Sequence, residues 1–87
     1  MRYPVVIHKD EDSDYGVSVP DISGCYSAGH TYDEALTNII EAIECHLEGL
    51  LMDKERIPVG STIDHWINEE EFQGGVWAFI DIDLSQM

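Results

Sequence analysis

The chain has 87 residues, 44% of them hydrophobic and 25% charged, enough for one domain with a modest core and far from the composition of a disordered segment. Its 18 acidic residues face only Arg2, Lys9, Lys54 and Arg56, for a formal charge of -14. That balance excludes nucleic-acid binding by this chain alone, which needs a clustered basic surface, and favours a basic protein partner. No stretch has the length or polarity of a signal peptide or membrane span, so no membrane role is expected and a cytoplasmic setting is implied.

Residues 2–9 are rich in β-branched and aromatic types and predict a first strand, which the acidic turn formers at 10–14 interrupt as a hairpin loop. Tyr15-Gly16-Val17-Ser18-Val19 alternates in the period of a half-buried strand and is stopped by Pro20. A turn over 20–24 and a third short strand over 25–30 follow. Thr31-Tyr32-Asp33-Glu34 then has the form of a capping box, and a helix over 31–52 carries Leu36, Ile39, Ile40, Ile43, Leu47, Leu50 and Leu51 at helical spacing. Residues 53–60 contain Pro58 and Gly60 and form a connection. Ser61-Thr62-Ile63-Asp64 reads as a second cap, opening a short helix to about residue 71 that Gly74-Gly75 ends.

The last strand spans 76–84. Its alternation places Val76, Ala78, Ile80, Ile82 and Leu84 on one face and Trp77, Phe79, Asp81 and Asp83 on the other. The order is β-β-β-α-(α)-β, an α/β (α+β) domain. Three strands joined by short turns run antiparallel, while the fourth, reached through a helical crossover, is expected parallel to the first. One mixed sheet then carries the long helix on one face.

Tyr3-Pro4-Val5, the stretch from Tyr15 through Cys25, Gly29-His30-Thr31 and Asp33-Glu34-Ala35 occur in an order that resembles the HicB antitoxin family, as do Ile57-Pro58 and the Trp77-Ala78 strand with Asp81 and Asp83. The resemblance covers nearly the whole chain. It implies a reduced ribonuclease H-like fold and a role as an antitoxin, with a basic HicA-type RNA-cleaving toxin as partner. Many members of that family also carry a C-terminal DNA-binding module through which they repress their own operon. The sequence stops at Met87, directly after the last strand, so the expectation for residues 1–87 is a single HicB-like domain without that module. Either the chain is a single-domain member or the DNA-binding segment lies outside these residues; repression of its operon through such a module is the alternative function. Self-association stays open.

The ribonuclease H likeness raises a nuclease as the enzymatic alternative. Two-metal hydrolysis needs carboxylates from several elements converging on cations about 4 Å apart. Asp81 and Asp83 offer one side and Glu41, Glu44 or Glu48 another, but the first strand has no carboxylate before Lys9. Cys25 and Cys45 have no metal-binding or redox spacing and are expected to be buried free thiols; His8, His30, His46 and His65 are scattered over different elements. The reading is therefore no catalytic residue, no metal site and no cofactor. The helix acids Glu41, Glu44 and Glu48 suit a solvated face, with docking to a basic partner as the other reading.

Trp77 and Phe79 fit either a core beneath the short helix or a partner surface. Asp81 and Asp83 beside them decide for the surface, since unpaired carboxylates are costly to bury. The expected partner-binding residues are His8, Trp77, Phe79, Asp81 and Asp83 on the sheet face opposite the long helix, with Asp10, Glu11 and Asp12 of the acidic loop at the rim.

Overall fold

The computed structural model describes residues 1–9 and 11–86. Four strands, β1 (Arg2–Lys9), β2 (Tyr15–Ser18), β3 (Tyr26–Gly29) and β4 (Val76–Asp81), form one sheet in the order β3-β2-β1-β4. The helix α1 (Tyr32–Met52) packs over β3 and β2. A second, four-residue helix α2 (Ile63–Trp66) and single 3-10 turns at Glu70–Phe72 and Leu84–Gln86 complete the chain.

α1 begins where the sequence places it. The Thr31 side chain accepts from the Glu34 amide at 3.0 Å, which satisfies a first-turn donor of the helix, and the Glu34 carboxylate accepts from the amide of His30, just before the cap, at 3.3 Å. Ala35, Ile39, Ile43 and Leu47, four residues apart, form the fully buried stripe. They meet Tyr3, Val5, Ile7, Val17 and Ile80 from the sheet, with Val19, Ile22 and Cys25 closing the end. Cys25 is buried as expected. Cys45 is exposed, because it stands two positions from Ile43 and so roughly 200° around the helix from the buried stripe. Its expected burial is corrected accordingly.

β4 runs antiparallel to β1, pairing Ile7 with Val76 at one end and Arg2 with Asp81 at the other. The sheet is therefore antiparallel throughout, not mixed, and the expected parallel return of the last strand is wrong. The reason lies in the connection. α1 travels the length of the sheet once, and the connection that follows it is tied beside the start of β1 by the Tyr3 hydroxyl, which donates to the Pro58 carbonyl at 2.6 Å. Residues 57–75 then travel the length a second time before β4 begins opposite Ile7. Two passes return the chain to the end from which β3 left, so β4 points the other way; the handedness rule for a single helical crossover has nothing to act on.

This second pass runs across the sheet face opposite α1. Pro4 and Val6 point to that side, yet both are buried. Trp77, the cross-strand partner of Val6, meets Phe72 edge to face at 5.8 Å between ring centres, and Phe72 meets Trp66 in the same way at 6.2 Å. The expected helix to residue 71 is shorter: α2 stops at Trp66 and the path continues as turns, which lets Phe72 reach Trp77 on β4 and pack against Trp66 behind it. Gly60 admits the crossing, since a Cβ there would collide with the Arg2 backbone.

Two glycines give a contrasting test. A Cβ at Gly29 would stand 2.8 Å from the Glu34 carbonyl carbon and 2.9 Å from the Ala35 Cα, whereas one at Gly49, inside α1, would meet nothing within 4 Å. In urea unfolding, Gly29→Ala is expected to cost about 1–3 kcal/mol through overpacking against a backbone that cannot yield. Gly49→Ala should add about 0.5–1 kcal/mol by helix propensity.

Candidate functional site: the outer face of the sheet

The register sets out the face opposite α1 residue by residue. Along β1 it presents Arg2, Pro4, Val6 and His8; beside them on β4 stand Asp81, Phe79 and Trp77. On the other side of β1 come Ser18 and Gly16 of β2, then Tyr26 and Ala28 of β3. Of the expected partner-binding residues, His8, Trp77, Phe79 and Asp81 thus share one face on two adjacent strands. Their surroundings differ.

Trp77 is half-buried in the aromatic row with Phe72 and Trp66. His8 is half-buried beside Gly75, where a Cβ would approach its ring to 2.8 Å. Phe79 is 37% exposed and carries the Arg2 guanidinium over its ring, 4.0 Å from the centre, while Asp81, opposite Arg2, is exposed. Asp83 lies beyond the strand end and is engaged locally. Its carboxylate accepts from the Ser85 amide at 3.0 Å and the Ser85 hydroxyl at 2.6 Å, which holds it below the usual carboxylate range. Glu11 and Asp12 are exposed on the β1–β2 loop, where Asp12 has a φ of 66°; Asp10 lies outside the described residues.

The helix-facing row of β4 also has a limit. Ile80 and Ile82 are buried and Ala78 and Leu84 pack partly against the core, but Val76 is 55% exposed. α1 lies over β2 and β3 and leaves that end of β4 uncovered.

The second pass is held by a cluster that spacing in the sequence does not reveal. Asp21, in the β2–β3 turn, accepts from the Ser61 amide at 3.0 Å, the Ser61 hydroxyl at 2.6 Å and the Trp66 indole at 3.2 Å; the same indole donates to Ser61 Oγ at 2.7 Å. One carboxylate thereby fixes Trp66 over the sheet. Asp21 also acts on Tyr3, whose phenol is pushed up first by burial and then by this nearby charge, so it remains a neutral donor to Pro58. The visible clue was the density of large apolar residues at 57–72, more than a simple connection requires.

Glu41, Glu44 and Glu48 are exposed on α1, on the side of the sheet away from Asp81. The sheet separates these two groups of carboxylates, and among the described residues no three His, Cys, Asp or Glu side chains are grouped to hold a metal ion. No helix among these residues is long and apolar enough to cross a membrane.

A family model described as the HicB-like antitoxin of bacterial toxin–antitoxin systems matches residues 3–87. The chain belongs to that family. It is 44% identical over 87 residues to an uncharacterised 14.9 kDa protein of the rep-hol intergenic region of Haemophilus phage HP1, covering all of this chain and 65% of the phage protein. The antitoxin HicB of Burkholderia pseudomallei superposes with a TM-score of 0.90 at 43% identity over 100% of this chain and 67% of that one. A chain of the HicA3 and HicB3 toxin–antitoxin complex superposes with a TM-score of 0.79 at 30% identity, over 95% of this chain and 99% of that one. The chain thus spans about two thirds of the length of the phage protein and of the Burkholderia antitoxin.

The differing roles of the two outer-face aromatics are separable by unfolding. Trp77→Ala should cost about 2–4 kcal/mol, since it opens the packing over Val6. Phe79→Ala should cost less than about 1 kcal/mol. Equal losses would show that both belong to the fold alone.

The rim supplies a pH-dependent contact. His30 Nδ1 lies 2.8 Å from Asp14 Oδ1, linking the start of β2 to the entry of α1. That hydrogen bond, then the charges of Asp14 and Glu34, raise the imidazole above its ordinary 6.5. A raised folded-state value means that the fold favours the protonated form. The stabilisation is complete below the unfolded-state value and is lost as pH rises through the folded-state value. An NMR titration of the imidazole should show the upward shift, and Asp14→Asn should return it towards the ordinary value.

Proposed function

We propose that this chain is the neutralising domain of a HicB-type antitoxin, which binds a basic HicA-type toxin through the outer face of β1 and β4 and blocks its RNA-cleaving surface by occupancy. The observation that carries this reading is Phe79: a partly exposed ring with a guanidinium on its face and the Asp81 carboxylate alongside, in a chain of charge -14. With Arg2 already on the ring, the site offers a basic partner the exposed part of Phe79 as an apolar anchor and the Asp81 carboxylate as an ion-pair acceptor. A toxin that grips RNA presents cationic side chains, and covering them removes its substrate contacts. Membership of the antitoxin family and the likeness to a chain of the HicA3–HicB3 complex support the choice of partner.

The domain acts as a stoichiometric binder. Asp81 and the α1 carboxylates face opposite ways, and hydrolysis would require them to converge. Charge acts at longer range. Glu11 and Asp12 at the rim, together with the overall negative field, draw a basic partner in and orient it, while the apolar and aromatic contacts hold it.

Stopped-flow binding to a HicA-type toxin tests the division of labour. Phe79→Ala should dissociate about 30-fold faster, the effect of losing an anchor worth about 2 kcal/mol. Glu11→Gln with Asp12→Asn should mainly slow association and flatten its salt dependence. A folded Phe79→Ala protein with wild-type rates would remove this face from the interface, and a wild-type chain that neither binds the toxin nor relieves its growth arrest would end the proposal.

A further inference from the structure

A cavity of about 280 Å³ opens between the β2–β3 turn and the 3-10 turn at Glu70–Phe72. The buried Ile22 and Cys25 line its inner side, with Ser18, Ser23, Tyr26, Glu71 and Phe72 around them. Its size is below the ~300–1,000 Å³ of typical small-molecule pockets and suits a single inserted side chain.

The lining specifies the kind of side chain. Tyr26 is 71% exposed, while Phe72, half-buried and packed edge to face with Trp66 and Trp77, forms part of the cavity wall. Glu71 is exposed and makes no ion pair among the described residues. Elsewhere in the chain, cations already sit on aromatic rings: Arg2 over Phe79, and Lys9 5.6 Å from the centre of Tyr15. At Tyr26 and Phe72 no such cation is present among the described residues. The register places Tyr26 on the outer face, three strand spacings from β4 and so about 14 Å away. We infer that this cavity is a second anchor point, which receives an arginine side chain of the basic partner, its guanidinium lying against Tyr26 and paired with Glu71.

The inference rests on the outer face being the toxin-binding face. It adds that the partner straddles the second pass, with one contact at Phe79 and Asp81 and another at Tyr26 and Glu71. Planar guanidinium matches this lining better than ammonium does, because it stacks on a ring and pairs with a carboxylate at once.

The test titrates N-acetyl-arginine methylamide into the isotopically labelled full chain, with N-acetyl-glutamine methylamide as the neutral control, and follows backbone amide shifts. Saturable shifts are expected at Ser23, Gly24, Tyr26 and Glu71, about fivefold weaker in affinity for the neutral compound and for Glu71→Gln. Equal responses to both compounds, shifts confined to the Phe79 region, or an unchanged response in Glu71→Gln would overturn the assignment. In a second arm, Tyr26→Ala and the cavity-filling Ser23→Trp, both checked for folding by circular dichroism, should each weaken binding of a HicA-type toxin about tenfold. Wild-type toxin affinity in both variants would remove the cavity from the interface and leave neutralisation standing. Arginine-specific shifts in a chain that captures no toxin would keep the cavity and remove the proposed partner.

Discussion

β1 is apolar on both faces: Tyr3, Val5 and Ile7 turn towards α1, while Pro4 and Val6 turn away, and all five are buried. A strand of this kind must be covered twice. α1 supplies one cover with its stripe of Ala35, Ile39, Ile43 and Leu47. The residues after α1 supply the other with Phe72 and with Trp66, which the Asp21 carboxylate fixes. From that double demand follow the second pass along the sheet, the antiparallel β4 and the division of the outer face into a closed middle and two accessible flanks.

The proposed function uses what the second cover leaves over. Over Val6 the aromatics are engaged with one another, and Trp77 belongs to the fold. At Phe79 and Asp81 the row emerges beyond the cover, with Arg2 lying on the ring. The proposed recognition of a basic partner rests on rings and carboxylates held on a rigid sheet, within a field of net charge -14.

Much of this was legible in the sequence, for local reasons. The strands and α1 announce themselves by alternation, by an i, i+4 stripe and by the Thr31 cap. The two faces of β4 follow from its alternation alone, and family membership follows from motifs in order. The direction of β4 was not legible, because it depends on how many times residues 53–75 traverse the sheet, and a four-residue helix among turns carries no periodicity from which to count. The Asp21–Ser61–Trp66 cluster was hidden for a related reason: its members lie 40 and 45 residues from Asp21, and each alone reads as an ordinary turn residue. The same limit applies at the site. Alternation put Asp83 beside Asp81, but the chain leaves the strand there, and Asp83 serves the turn at Ser85 instead.

The reciprocal hydrogen bonds between Met1 and Ile82 join groups 81 residues apart in the chain. β1, β2, β3 and α1 assemble through short turns, whereas β4 and the pass before it close the longest loop in the domain. Contacts of such separation form late and cost the most chain entropy. On the proposed reading, a partner seated on Phe79 and Asp81 touches the strand that closes this longest loop, so its binding also holds the two ends of the chain together by mass action.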